Sequence, residues 1–411
     1  MNLSFAIAKR IAFNQQPSFS RFIIRLSIAA TALSVAAMIV TMAFVNGFQQ
    51  TVSNKIFSFW GHIRVQHLQL DKSLIAEETP ILKNDTVFQM LQHNPGIKHV
   101  QSFATKSAVI EKNGNIEGIL FKGVDQLFDK QQFTPFLQQG SFISFQDSSY
   151  SKQIIVSEPM SKSLKINVGD TVNIYFIESN TGAPSAKRKL LVKGIYKTGI
   201  EEYDKLFAIG DIQLIQRLNN WSPQQIGGYE IFIHQTAQLD SINSQLYQQL
   251  PTEWASRTMK EIMPNIFDWL NIQNVNKNII FIVMAFVAII NLITCLLILV
   301  LERTKMIGIL KSFGTTNHSI QQIFIYYATF IAVTGIFIGC AIGLGFYFLQ
   351  LSTHFITLDE ASYYIPFAPV SITLWQVVTI CIATGLVCIL SLILPTLFIR
   401  KISIVASIAF K

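Results

Sequence analysis

Long stretches of this chain are too apolar and too poor in charge to stay in water, and they constrain every fold open to it. Leu26 to Gln50 carries no charged residue, Asn278 to Leu301 carries none, and from Thr304 onward charges are confined to a few positions. Charged residues make up 14% of the whole, against roughly a quarter in soluble proteins. A bilayer core is crossed by about 20 consecutive, mostly apolar residues in helix. The pattern predicts membrane helices over residues 21–48, 264–301 (beginning with a stalk outside the bilayer), 320–350 and 372–399. The first follows basic residues, as a secretory signal does. Its apolar part is too long for one and no small-x-small cleavage site closes it, so it is expected to be retained.

Lysine and arginine near the helix ends set the orientation. Residues 1–25 carry Lys9, Arg10, Arg21 and Arg25 with no acid. Residues 302–319 carry a net +2 and residues 400–411 a net +3, whereas residues 49–278 hold 22 basic against 21 acidic residues. The excess positive charge therefore falls on one side, the cytoplasm, and both termini are expected there. Lys277, beside the second span on the outer side, is a mild exception. The pI of about 9.2 follows from this topology and calls for no nucleic acid. Cys295, Cys340, Cys381 and Cys388 all fall in membrane helices, so no disulfide framework or cysteine-based metal site is available to the outer domain.

Residues 1–20 begin with an apolar run broken by Lys9 and Arg10, the pattern of a helix lying in the membrane interface. The first span is expected to stop at Asn46-Gly47-Phe48, with Gly47 as C-cap. Residues 49–263 then mix strand and helix signals. His62–Leu70 alternates apolar and polar residues. Ser107–Glu111 and Ile116–Val124 flank Asn113-Gly114, a hairpin signal. Thr171–Ile177 and Lys189–Tyr196 read as partner strands separated by the polar excursion Glu178–Arg188. Tyr229–His234 reads as a strand, and Asp211–Asn219 and Gln238–Leu250 read as helices. From Pro264 the pattern predicts a helix of about 38 residues, about 57 Å at 1.5 Å per residue, longer than a bilayer.

Residues 302–319 are the most informative segment. A passive loop would be polar and rich in turns. This one sets Met306, Ile307, Ile309, Leu310 and Phe313 on an amphipathic turn beside Lys305 and Lys311, with Gly314 as a stop. It reads either as a docking surface or as a helix resting on lipid.

Glu302-Arg303-Thr304-Lys305-Met306-Ile307-Gly308-Ile309-Leu310-Lys311 with Gly314 resembles the coupling helix of the FtsX/MacB/LolC-type permeases of ABC transporters (type VII). Asn46-Gly47-Phe48, Lys55-Ile56, Gly61-His62-Ile63, Val168-Gly169-Asp170, Leu358-Asp359 and Tyr363-Tyr364-Ile365-Pro366 are similar to the lipoprotein-releasing LolC/LolE branch. The chain departs from the family at its end, where Ile402-Ser403-Ile404-Val405-Ala406 replaces a proline-containing basic motif. The resemblance implies a membrane protein of four transmembrane α-helices, with an α+β periplasmic domain of the MacB type inserted between helices 1 and 2. It places the chain in the bacterial cell inner membrane as a multi-pass protein.

The chain would then be no enzyme itself. It lacks a G-x-x-x-x-G-K-[ST] stretch, and the resemblance implies a separate LolD-like ABC ATPase that binds ATP and magnesium. Hydrolysis would move the external domain, and lipoproteins would leave the inner membrane for a LolA-like periplasmic carrier. A second copy or a related permease would complete the pathway. By position in that branch, Met42, Val45, Asn46, Phe48, Ile282, Phe286 and Ile289 would line the substrate cavity among membrane lipids; ordinary lipid-facing or packing roles are the alternative. Asn180, Thr181, Gly182, Ala183 and Pro184 would form a carrier-recruiting hairpin, or else a plain hairpin tip.

Gly335, Gly339 and Gly343 allow close approach of another helix, within the chain or from a partner. Asn291 and Thr294 are expected to hydrogen-bond to a neighbouring helix. The histidines form no H-E-x-x-H pair, so no metal site is expected. Ser149-Tyr150-Ser151-Lys152 and Lys197-Thr198-Gly199 match two penicillin-binding motifs, but the third is missing. Other roles for the same plan are an FtsX-like regulator of cell-wall hydrolases, a MacB-like efflux component, and a membrane-anchored receptor or scaffold without ATPase.

Overall fold

The structure, a computed structural model, describes residues 19–68, 79–145, 150–177 and 184–392. The amphipathic start, the tail at 400–411, the last part of the expected fourth span and Asn180–Ala183 lie outside them. In chain order the elements begin with α1 (Phe19–Trp60), β1 (Ile63–His67), β2 (Ile81–Leu82), α2 (Asp85–His93), β3 (Ile97–Lys112), β4 (Asn115–Val124), α3 (Lys130–Phe133) and β5 (Leu137–Gly140). There follow β6 (Gln153–Ser157), α4 (Glu158–Leu164), β7 (Thr171–Ile177), β8 (Pro184–Tyr196), α5 (Glu201–Leu206), β9 (Phe207–Asp211), α6 (Ile212–Leu218), β10 (Gln225–Ile226) and β11 (Gly228–Ile233). The chain continues with α7 (Leu239–Gln249), β12 (Trp254–Thr258), α8 (Met259–Ile262), α9 (Pro264–Glu302), α10 (Thr304–Ser312), α11 (Asn317–Thr353), α12 (Glu360–Tyr363) and α13 (Leu374–Ser391). Two compact units result, one of residues 1–50, 269–357 and 367–411, the other of residues 51–268 and 358–366.

In the first unit α1, α9, α11 and α13 are each long and apolar enough to cross a membrane. Gly335, Gly339 and Gly343 bring α11 against α1. A Cβ on Gly339 would lie 2.4 Å from the Ala32 carbonyl oxygen, and one on Gly335 would lie 2.8 Å from Thr31 Cβ. The glycine stripe is therefore spent within the chain. Val35, Met38 and Ile39 of α1 pack with Val377 and Ile380 of α13. A second core joins Leu292, Leu296 and Leu299 of α9 to Ile323, Phe324 and Ile331 of α11. Asn291 ties α9 to α1: its Nδ2 donates to the Ser27 carbonyl at 3.0 Å, and its Oδ1 accepts from Ser27 Oγ at 3.3 Å. Thr294 lies on the exposed face of α9 instead.

The second unit is an α+β domain on a ten-stranded mixed sheet ordered β12-β1-β11-β3-β4-β9-β6-β8-β5, with β7 beside β3 and β8. The pairs β4–β9 and β6–β8 are parallel. Asn113 and Gly114 turn β3 into β4 with φ of 52° and 85°, the pair of left-handed residues that a two-residue hairpin requires. β7 and β8 pair antiparallel from Thr171↔Leu191 to Ile177↔Pro184, so β8 begins earlier than the sequence pattern implies.

The first span corrects the sequence reading. Gly47 does not cap a helix; α1 runs through it to Trp60. A Cβ on Gly47 would sit 2.5 Å from the Pro369 carbonyl oxygen, so this glycine serves close packing. Val52, Ile56, Phe57 and Phe59 continue a buried face beyond it. The chain leaves the helix at Gly61, whose φ of 75° suits a residue without Cβ.

Candidate functional site

The segment expected to couple to a partner folds as α10, two helical turns set off from α9 by Arg303 alone. Its end is a Schellman turn. Gly314 has φ 80°, its N–H donates to the Lys311 carbonyl at 3.0 Å, and Thr315 N–H donates to the Leu310 carbonyl at 3.1 Å. The apolar residues divide between two faces. Ile307 is fully buried, with Met306 and Leu310 packed beside it on the core of α9, α11 and α13. Ile309 and Phe313, one turn apart, are 51% and 82% exposed. Glu302 and Lys305 are exposed, Arg303 and Lys311 half-buried, and Gly308 is buried. The same short helix is thus riveted inward and leaves an apolar pair facing out.

The residues expected to line a substrate cavity have two different environments. Met42 packs with Phe281 and Met284 against the core of α1 and α13. Val45 and Asn46 are half-buried, and Asn46 Nδ2 donates to Gln376 Oε1 at 3.1 Å. Phe48 meets Trp269 edge to face at 5.2 Å. Ile282 and Phe286 point away from this packing, 58% and 60% exposed on α9, while Ile289 is half-buried. Of the expected carrier hairpin only Pro184 falls among the described residues, as the first residue of β8.

The second unit holds a site that sequence reasoning missed: the anchorage of the end of α1. Phe59 and Trp60 are buried among Tyr196, Tyr203 and Phe207, with Trp60 and Phe207 centroids 4.6 Å apart. Lys122 Nζ donates to the Phe59 carbonyl at 2.6 Å and pairs with Glu230 Oε1 at 2.7 Å. Gln101 Nε2 donates to Glu230 Oε2 at 2.8 Å. An ammonium on a final carbonyl of a helix meets the negative end of the helix dipole. The guanidinium of Arg64 lies 4.9 Å from the Trp60 ring and 4.1 Å from that of Phe103. A signal existed. Lys122 and Glu230 each stand within a run of apolar residues in a buried strand, where a charge survives only if paired.

His62 follows the helix end. Its ring stacks on Phe57 at 4.3 Å, and Nδ1 accepts from Ile233 N–H at 3.4 Å. Burial, with help from Lys98, pushes its pKa down to about 4, so the imidazole is neutral at pH 7. Among the described residues no group of three or more histidine, cysteine or acidic side chains is placed to hold a metal ion.

Residues 26–246 match the model of the MacB-like periplasmic core domain, and residues 278–404 match that of the FtsX-like permease C-terminal region. The chain is 23% identical to the lipoprotein-releasing system transmembrane protein LolC of Haemophilus influenzae, over 79% of each chain. It is 24% identical to LolE of the same organism, over 84% of this chain and 82% of that one. The periplasmic region of MacB from Actinobacillus actinomycetemcomitans aligns with half of this chain at a TM-score of 0.36 and 13% identity.

Proposed function

This chain belongs to the family of ABC transporter permeases built from a MacB-like periplasmic core domain and an FtsX-like region, and from that premise we propose that it couples ATP hydrolysis on a separate subunit to extraction of lipoproteins. It is a multi-pass protein of the inner membrane. One observation carries the reading: α10 is fixed to the membrane core by Ile307 and presents Ile309 and Phe313 outward. A helix that only rested on lipid would need no such inward rivet. A rigid helix with an apolar tip suits a partner that pushes on it. In this reading the partner is an ATPase that binds magnesium and ATP, as a permease of an ABC transporter requires.

The distribution of lysine and arginine supports a cytoplasmic side for both termini and α10. Movement of α10 passes into α9, which precedes it by one residue, and into α1 through the Ser27–Asn291 bonds. The names of the LolC and LolE relatives support lipoproteins as cargo. Acyl chains would meet the exposed face of α9 at Ile282 and Phe286, with a second permease copy or relative closing the other side. A LolA-like carrier would take the cargo at the 178–188 excursion.

A photo-crosslinking residue at Phe286 tests the cargo. With the complex purified from native membranes, the expected adduct is an acylated protein, lost when ATP is supplied before irradiation. Adducts with phospholipid alone, unaffected by ATP, would contradict the proposal.

A further inference from the structure

The external unit contains a piece of chain from far along the sequence, residues 358–366, between α11 and α13. Its base is pinched: Leu358 N–H donates to the Pro366 carbonyl at 3.0 Å, and Thr357 bridges Phe367. Just before the segment, buried Gln350 donates to the Ala368 carbonyl at 2.8 Å and accepts from Ile356 N–H at 3.1 Å. Just after it, Ser371 N–H donates to the Ala43 carbonyl at 2.9 Å. Both feet are thereby fixed within the membrane unit.

The tip is fixed in the other unit. Ile365 is 3% exposed. Glu360 Oε2 lies 2.5 Å from Lys197 Nζ, which also pairs with Glu158 at 3.5 Å. The Glu360 hydrogen bond holds the Lys197 pKa above its ordinary value. Lys55, on the last turns of α1, donates to the Tyr364 carbonyl at 2.7 Å. The receiving corner is itself braced: the buried Asp204 carboxylate accepts from Thr198 N–H at 3.0 Å, Thr198 Oγ1 at 2.8 Å and Gly199 N–H at 2.9 Å. Gly199 lies under the tip. A Cβ there would come within 2.7 Å of Glu360 Oε1 and of Lys55 Nζ. Partly exposed ion pairs hold little by themselves. Ile365 is buried, and the Lys197–Glu360 and Lys55–Tyr364 contacts set the register.

We propose that residues 358–366 form a tether through which the third and fourth membrane helices, α11 and α13, act on the external domain, in parallel with α1 and α9. This rests on the coupled-permease reading. The experiment uses the full chain in lipid nanodiscs and compares amide exchange of residues 358–366 in wild type, Lys197→Glu, Glu360→Lys and the double exchange. Each single variant is expected to exchange about fivefold faster there, with the double variant restored towards wild type. In the native complex in proteoliposomes, each single variant should release less of a triacylated protein per ATP hydrolysed, and the double variant should recover. Exchange unchanged in the single variants overturns the tether. So does accelerated exchange with release per ATP unchanged. A chain that recruits no ATPase overturns the permease reading and with it the transmission role, whereas the exchange pattern alone decides the seating.

Discussion

At the scale of single residues, the buried Lys122–Glu230 pair and the half-buried His62, all near the end of α1, carry sharp predictions. Lys122 is 1% exposed and Glu230 is 0% exposed. Removing one charge from such a pair strands the other, at a cost of about 3–5 kcal/mol, whereas replacing both with apolar groups is often neutral. Glu230→Leu should therefore lower the denaturant midpoint of the external unit strongly, and Lys122→Met with Glu230→Leu should recover most of the loss. A single variant as stable as wild type would show that the pair does not anchor the helix. His62 predicts a pH dependence. Its folded pKa of about 4 lies below the ordinary 6.5, so the unfolded chain takes up the proton first. Stability is full above pH 6.5 and is lost as pH falls towards 4, by about 3 kcal/mol. His62→Phe keeps the stack on Phe57 and should remove that slope from unfolding curves of the full chain. An identical slope in the variant would contradict the assignment.

At the scale of elements, the sequence was readable wherever one periodicity ran uninterrupted. β7, α7 and α9 fall within a residue or so of the pattern because their apolar spacing, turn residues and N-terminal proline agree. Gly47 misled because glycine serves both as a helix stop and as a place of close packing, and only the neighbour decides. The neighbour here is Pro369, more than 300 residues away. The apolar residues of α10 were legible as a set, but not their division into an inward Ile307 and an outward Ile309 and Phe313. That division depends on where α11 and α13 lie. The glycine stripe gives the prediction at this scale. Gly339→Val should force α11 from α1 and cost about 1–3 kcal/mol by overpacking, measured as a lower midpoint of thermal unfolding in detergent. Gly345→Val, with nothing within 4 Å of its Cβ, should be tolerated. Equal effects of the two would remove the packing role assigned to the stripe.

At the scale of the whole molecule, hydropathy and charge alone set out four spans and an external domain between the first two, because a bilayer permits few alternatives. The assignment of residues 358–366 to the external unit was not legible, since it rests on pairings such as Lys197 with Glu360 that no local pattern signals. The proposed function has force enter at α10. Copurification of an ATPase with the tagged full chain, followed by the ATP hydrolysis rate of what is recovered, tests this most directly. Ile309→Asp and Phe313→Asp should each lose the ATPase by about tenfold or more while the chain stays folded, since a buried apolar anchor at the centre of an interface is worth 2 kcal/mol or more. Leu82→Asp, at a position 62% exposed in the external unit, should retain it. Full ATPase recovery with unchanged hydrolysis in both α10 variants would contradict the account.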